Sequence, residues 1–142
     1  MMRRRAWSLY AFRGFALLAL ISFVSGCALS PDDKVTREQL LKQQAQNFVS
    51  LAVQGDWDNL FKLTDGSFEG VDRFKVHLTE PWDSSATLTG GSIAAMSWVS
   101  DSTTKVKINW VFQEGSVMSY SSETFAWVWK DDTWKYKGRV LR

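Results

Sequence analysis

Part-way along the chain the spacing of apolar residues changes from that of a helix to that of a strand. Leu41, Ala45, Phe48 and Ala52 recur at i, i+4, i+7 and i+11, flanked by Leu40, Val49 and Val53, which makes one apolar stripe on a helix. Thr36-Arg-Glu-Gln39 ahead of it fits a capping box with Thr36 as N-cap. Gly55 stands where a C′ glycine ends such a helix. Asp56 then suits the N-cap of a second, short helix carrying Trp57, Leu60, Phe61 and Leu63. Beyond Gly66 and Gly70, Val71, Phe74 and Leu78 share the face of a third. Gly90-Gly91 reads as a turn, and from Ile93 the period is two: Val106, Ile108, Trp110 and Phe112 alternate with Lys105, Lys107 and Asn109. Helices followed by antiparallel strands give the α+β class, with N-terminal helices packed on a curved antiparallel sheet.

The last hairpin is the best specified. If Asp131-Asp132 is a two-residue loop, Trp129 faces Trp134, Trp127 faces Tyr136 and Phe125 faces Gly138. The other face then pairs Val128 with Lys135, Ala126 with Lys137 and Thr124 with Arg139, so the aromatics lie inside and the bases form an outer strip. Two registers suit the preceding hairpin. A three-residue loop Gln113-Glu114-Gly115 turns Met118 and Tyr120 inward and needs a β-bulge near Ser121-Ser122-Glu123 to bring Phe125 and Trp127 inward as well. A two-residue Glu114-Gly115 loop needs no bulge but turns Ser119, Ser121 and Glu123 inward. The bulged register buries fewer polar groups and is the expected one.

The N-terminus reads as a leader. Arg3, Arg4, Arg5 and Arg13 precede or flank a short apolar run, Phe15 to Val24, with no acid before Asp32. That run is shorter than the roughly 20 residues that span a bilayer. The following Val24-Ser25-Gly26-Cys27 resembles the bacterial lipobox. The resemblance implies cleavage between Gly26 and Cys27, and a diacylglyceryl thioether and an acylated amine on Cys27. Residues 1–26 are then a signal peptide, 27–35 a lipidated tether and 36–142 a single domain. Ala28 stands where an inner-membrane retention signal would place aspartate, so the resemblance implies an outer-membrane anchor facing the periplasm, or the cell membrane in a single-membrane host.

All four leader arginines leave with the signal, so 13 of the 17 Lys+Arg remain against 15 Asp+Glu, a formal charge of −2. Nucleic-acid binding has no electrostatic support. With Cys27 lipidated, as the resemblance implies, no thiol remains, which would exclude thiol chemistry and disulfides. The single histidine, His77, makes a conventional zinc site unexpected, and no metal or cofactor is expected.

Two stretches, Phe48 to Leu63 and Phe125-Ala-Trp-Val-Trp-Lys-Asp-Asp-Thr-Trp-Lys-Tyr136, resemble the nuclear-transport-factor-two-like, or cystatin-like, superfamily. The resemblance implies a sheet rolled around the helices into a cone with an apolar pocket, covering Thr36 to Leu141. The superfamily's short strand between helices two and three is not evident. Its members include isomerases, cyclases, dehydratases, accessory domains of secretion machines and lipoproteins, so the fold does not choose the function.

Trp110, Tyr120 and Trp127 are the candidate pocket-lining residues, and Trp82 and Trp98 the candidate surface contacts. His77 lies near Asp72, Glu80 and Asp83 in sequence, which permits an acid/base pair, whereas Glu123, the strands' one acid outside their loops, is expected to face outward. No catalytic residue is assigned. The expected function is a non-catalytic envelope lipoprotein, held at the membrane by its lipid and binding an envelope protein or a small apolar ligand. An isomerase- or cyclase-like enzyme using the cone pocket, and a glycan-binding module using exposed tryptophans, are the alternatives.

Overall fold

A computed structural model describes residues 30–141; Gly26 and Cys27 lie outside them. Helix α1 spans Pro31–Gln54, α2 Trp57–Phe61 and α3 Val71–Thr79, followed by strands β1 (Thr87–Ser100), β2 (Thr103–Glu114), β3 (Val117–Lys130) and β4 (Thr133–Arg139). The strands form one antiparallel sheet in the order β1-β2-β3-β4.

The first helix is capped six residues before the expected N-cap Thr36. Ser30 is its N-cap, with Oγ accepting from the Asp33 backbone N–H at 3.2 Å and Pro31 entering the first turn. Proline's fixed φ and missing donor suit that position, and Asp32 and Asp33 complement the positive end of the helix. Residues 31–35, expected as tether, are therefore helical. At the far end Gly55 adopts φ 70°, its N–H bonding Ala52 O while the Asp56 N–H bonds Leu51 O, the two bonds of a Schellman motif. Leu41, Ala45, Phe48, Val49 and Ala52 face the sheet and are buried. Asp56 caps α2 through Asn59 N–H as expected, and α3 buries Phe74 and Leu78.

Strand β1 begins at Thr87, so Gly90-Gly91 lies within the sheet and is not a turn. A Cβ on Gly91 would stand 2.9 Å from the Trp110 ring and 2.9 Å from Val49 Cγ1. The glycine thus admits α1 and an indole to the same point of the backbone. Gly91→Ala is expected to destabilise the domain by about 1–3 kcal/mol through overpacking, read as a lower midpoint of urea unfolding.

Between β2 and β3 the expected bulge is absent. Glu114 pairs with Val117, Trp110 with Ser121, Ile108 with Glu123 and Val106 with Phe125, in unbroken register. Neither expected loop is used, but the parity is that of the unbulged alternative. Glu123 is turned inward, while Met118 and Tyr120 face out, 49% and 73% exposed.

The last hairpin keeps Trp129 opposite Trp134 and Trp127 opposite Tyr136, with Asp131 and Asp132 at φ 53° and 58° in its turn, as a two-residue loop of this hand requires. Beyond Tyr136 the register shifts: Ala126 pairs with Gly138 and Phe125 with Arg139. The expected pairings of Phe125 with Gly138, Ala126 with Lys137 and Thr124 with Arg139 are thereby corrected. Gly138 accommodates the irregularity at φ 146°, and a Cβ there would meet His77 Nε2 at 3.7 Å rather than Phe125. One added residue reverses side-chain parity. Arg139 therefore leaves the expected outer strip of bases and enters the inner face.

In place of a short strand between α2 and α3, Thr64 makes a single parallel bridge to Tyr136. Asp65 N–H donates to Tyr136 O and Tyr136 N–H to Leu63 O, which covers part of the free edge of β4. The inside of the curved sheet is filled by rings. Phe48 stacks on Tyr136 at 4.9 Å and meets Trp127 edge-on at 5.4 Å; Phe74, Trp110, Phe112, Phe125 and Trp134 are buried with them.

Candidate functional site

Where α3 ends against the sheet, four side chains from four segments meet. Glu123 comes from β3, Arg139 from the end of β4, His77 from α3 and Trp82 from the loop after it. Arg139 Nε donates to Glu123 Oε1 at 2.8 Å, with 17% and 7% of the two side chains exposed. The Trp82 indole N–H donates to Glu123 Oε2 at 3.0 Å. Arg139 Nη2 donates to the carbonyls of His77 and Leu78 at 3.0 and 3.2 Å. Those carbonyls belong to the last turn of α3, where a cation complements the helix dipole. The Arg139 backbone N–H points to His77 Nε2 at 3.4 Å.

His77 packs against Phe68 at 5.0 Å between ring centres. Burial, and secondarily the Arg139 guanidinium, holds its pKa below the ordinary 6.5. Its Nε2 is directed to the backbone of β4, not to a carboxylate, so the sequence proximity of Asp72, Glu80 and Asp83 does not produce a hydrogen-bonded acid/base pair at that atom. Burial also pushes the Tyr136 phenol upward, which keeps it protonated. Because the folded-state pKa of His77 is lowered, the unfolded chain binds the proton more tightly. Stability should be full above pH 6.5 and fall as pH drops through that value towards the folded pKa. Thermal melts at stepped pH are expected to show this decline, and His77→Gln to flatten it.

The geometry ties α3, the Trp82 loop, β3 and β4 together. Both Glu123 oxygens and two guanidinium nitrogens carry bonds within the protein. A cleft of about 500 Å³ opens beside the ion pair and is lined also by Lys105, Lys107 and Leu141. A smaller one of about 290 Å³ lies between Trp57, Trp82 and Leu88, and one of about 480 Å³ between Lys42, Gln46 and β1. Among the described residues, no group of three or more His, Asp or Glu is placed to hold a metal.

No protein-family model matches the sequence, and no curated protein does. Among solved structures, the chain is similar to a putative Ca/calmodulin-dependent kinase II association domain from Exiguobacterium sibiricum 255-15. The identity is 14%, over 81% of this chain and 99% of that one, with a TM-score of 0.50. That likeness shows the fold alone. An NTF-2-like protein of unknown function from Shewanella oneidensis MR-1 is 19% identical over 78% of this chain and 97% of that one, with a TM-score of 0.46. The fold is α+β, helices on a curved four-stranded antiparallel sheet.

The residues expected to line a pocket lie elsewhere. Trp110 and Trp127 are fully buried core, and neither lines any of the clefts above. Tyr120 is on the outer face because β3 carries no bulge. Trp82, expected as a surface contact, is half-buried and edge-on to Trp110 and Phe112 at 5.4 Å each. Trp98 does reach the surface, 37% exposed while packing edge-on against Trp134 at 5.6 Å. The sequence reading missed Arg139, although an interior-strand glycine beside it, Gly138, is an ordinary sign of a bulge.

Proposed function

We propose that this chain is a bacterial envelope lipoprotein, anchored through acylated Cys27, whose domain binds a protein partner or a small apolar ligand and does not catalyse. The observation that carries the non-catalytic part is the engagement of both Glu123 oxygens by donors of the protein. Its two oxygens are taken by Arg139 and Trp82, and Arg139 is itself spent on the end of α3. A general base must reach a substrate proton, and this carboxylate is held by its two donors inside the protein, 7% exposed. The packed ring core supports the same reading, since a cone pocket would need the space that Phe48, Trp127 and Tyr136 fill. The Val24 to Cys27 tetrapeptide and the basic leader support the anchor, and two or more acyl chains suffice for stable membrane attachment. Ala28 after the cysteine favours the outer membrane, facing the periplasm.

The inward turn of Glu123 beside an open cleft favours one second reading, an isomerase- or cyclase-like enzyme. Two measurements test the proposal. Mass spectrometry of the mature N-terminus should find acyl groups on Cys27, and Cys27→Ser should leave an unprocessed or soluble species without acyl chains. His77→Gln and Glu123→Gln, at normal abundance and normally folded, should complement a deletion fully. An unmodified N-terminus starting elsewhere defeats the anchor. A well-folded variant that behaves like the deletion moves the enzyme reading to first place, because loss of an acid or base lowers turnover by about 10²–10⁴-fold.

A further inference from the structure

The end of the domain where α1 begins is a built platform. Arg37 Nη1 donates to Asp101 O in the β1–β2 turn at 3.0 Å, and Lys34 pairs with the Asp101 carboxylate at 3.5 Å. The Arg37 guanidinium lies 4.3 Å over the Trp129 ring, and Trp134 Nε1 donates to Arg37 O at 2.8 Å. Trp134 in turn is edge-on to Trp98 at 5.6 Å and to Trp129 at 5.4 Å. Three segments distant in sequence are thus locked into one surface. Apolar side chains of these segments stand open to solvent: Leu40 of α1 is 40%, Trp98 37% and Val99 59% exposed.

We infer that this platform rests on the lipid headgroups, with Trp98 and Val99 at the interface. The inference rests on the reading that Cys27 is acylated. Three peptide steps separate Cys27 from the N-cap Ser30, and extended chain advances at most about 3.6 Å per residue, so the reach is roughly 11 Å. The polar layer of one leaflet is itself about 5–8 Å thick. The domain therefore cannot swing clear of the bilayer, and the end nearest α1's first turn stays beside the headgroups. Indole rings favour that depth, where an apolar body and a polar N–H are both satisfied. The turn between β2 and β3 lies about 35 Å away along β2, and exposed Tyr120, opposite Val111, about 26 Å away, at roughly 3.3 Å per residue. Acids at the platform, Asp33, Asp101 and Asp132 among them, outnumber the bases Lys34 and Arg37. A zwitterionic surface therefore suits it, and an anionic one brings no gain.

Lipidation consumes the one native thiol, so a single introduced cysteine reports one position. The full chain carrying Val99→Cys or Tyr120→Cys would be processed in a bacterial host and extracted. It would then be nitroxide-labelled and returned to vesicles of phosphatidylcholine and phosphatidylethanolamine. The label at 99 is expected to be shielded from an aqueous paramagnetic relaxant and accessible to membrane-dissolved oxygen, and the label at 120 to show the reverse. Adding phosphatidylglycerol should not deepen the label at 99. Equal aqueous exposure at both positions, with acyl chains verified by mass spectrometry, would overturn this inference and leave the anchor standing. An unacylated N-terminus would overturn both. Shielding at 99 in a Cys27→Ser, Val99→Cys chain without vesicles would also overturn it, giving the platform to a second copy.

Discussion

Arg139→Met is expected to destabilise the domain by about 3–5 kcal/mol, the usual effect of removing one partner from a buried ion pair. The variant keeps much of the aliphatic bulk and removes the guanidinium, with its donors and its charge. Glu123, 7% exposed, would retain the Trp82 indole as a partner and lose its counter-charge. The carbonyls of His77 and Leu78 would lose their side-chain donor at the same time. Urea unfolding read by tryptophan fluorescence measures the effect. A double variant, Glu123→Gln with Arg139→Met, should recover part of the loss, because an unpaired charge is no longer buried. An Arg139→Met midpoint equal to that of the parent would mean that solvent screens the pair, and the locking role assigned to it would fail.

The same arginine explains where sequence reasoning stops. Its parity depends on a one-residue irregularity that no alternation pattern predicts, and only Gly138 hints at it. The hairpin from Trp127 to Tyr136 was legible because every aromatic fell on one side and a slip would have exposed them. The β2–β3 register was not, because the rule used there, bury the fewest polar groups, ignores distant partners. Glu123 is tolerated inside by an arginine sixteen residues away and a tryptophan forty-one residues away. Ser119 and Ser121 need less, since Ser119 is exposed and Ser121 half-buried. The start of β1, ahead of the Ile93 from which strand spacing is read, was hidden for a different reason. Three register shifts, near Leu88, Ile93 and Trp98, break its period of two. The start of α1 was hidden by Pro31, read as a linker residue although Ser-Pro-Asp-Asp is also a sound helix entry.

Phe48→Ala should have an effect as large as that of Arg139→Met, about 3–5 kcal/mol, by a wholly apolar route. Phe48 is the largest of the residues through which α1 meets the sheet. Its ring contacts Tyr136 at 4.9 Å, Trp127 at 5.4 Å, Phe125 at 6.2 Å and Trp110 at 6.5 Å. Those partners sit on three strands whose backbones are fixed by the ladder, so they cannot close over the space that alanine leaves. The loss combines the transfer term of the deleted ring with a cavity among rigid aromatics. A domain of this size has about 5–15 kcal/mol in total, so the variant should melt far earlier and lose the sharp near-ultraviolet signal of ordered tryptophans before its helix signal. Phe48→Leu, which refills most of the volume, should recover the larger part of the difference. If Phe48→Ala melted with the parent, α1 would not be seated on the sheet through this ring, and the filled core that supports a binding role over a catalytic one would have to be abandoned.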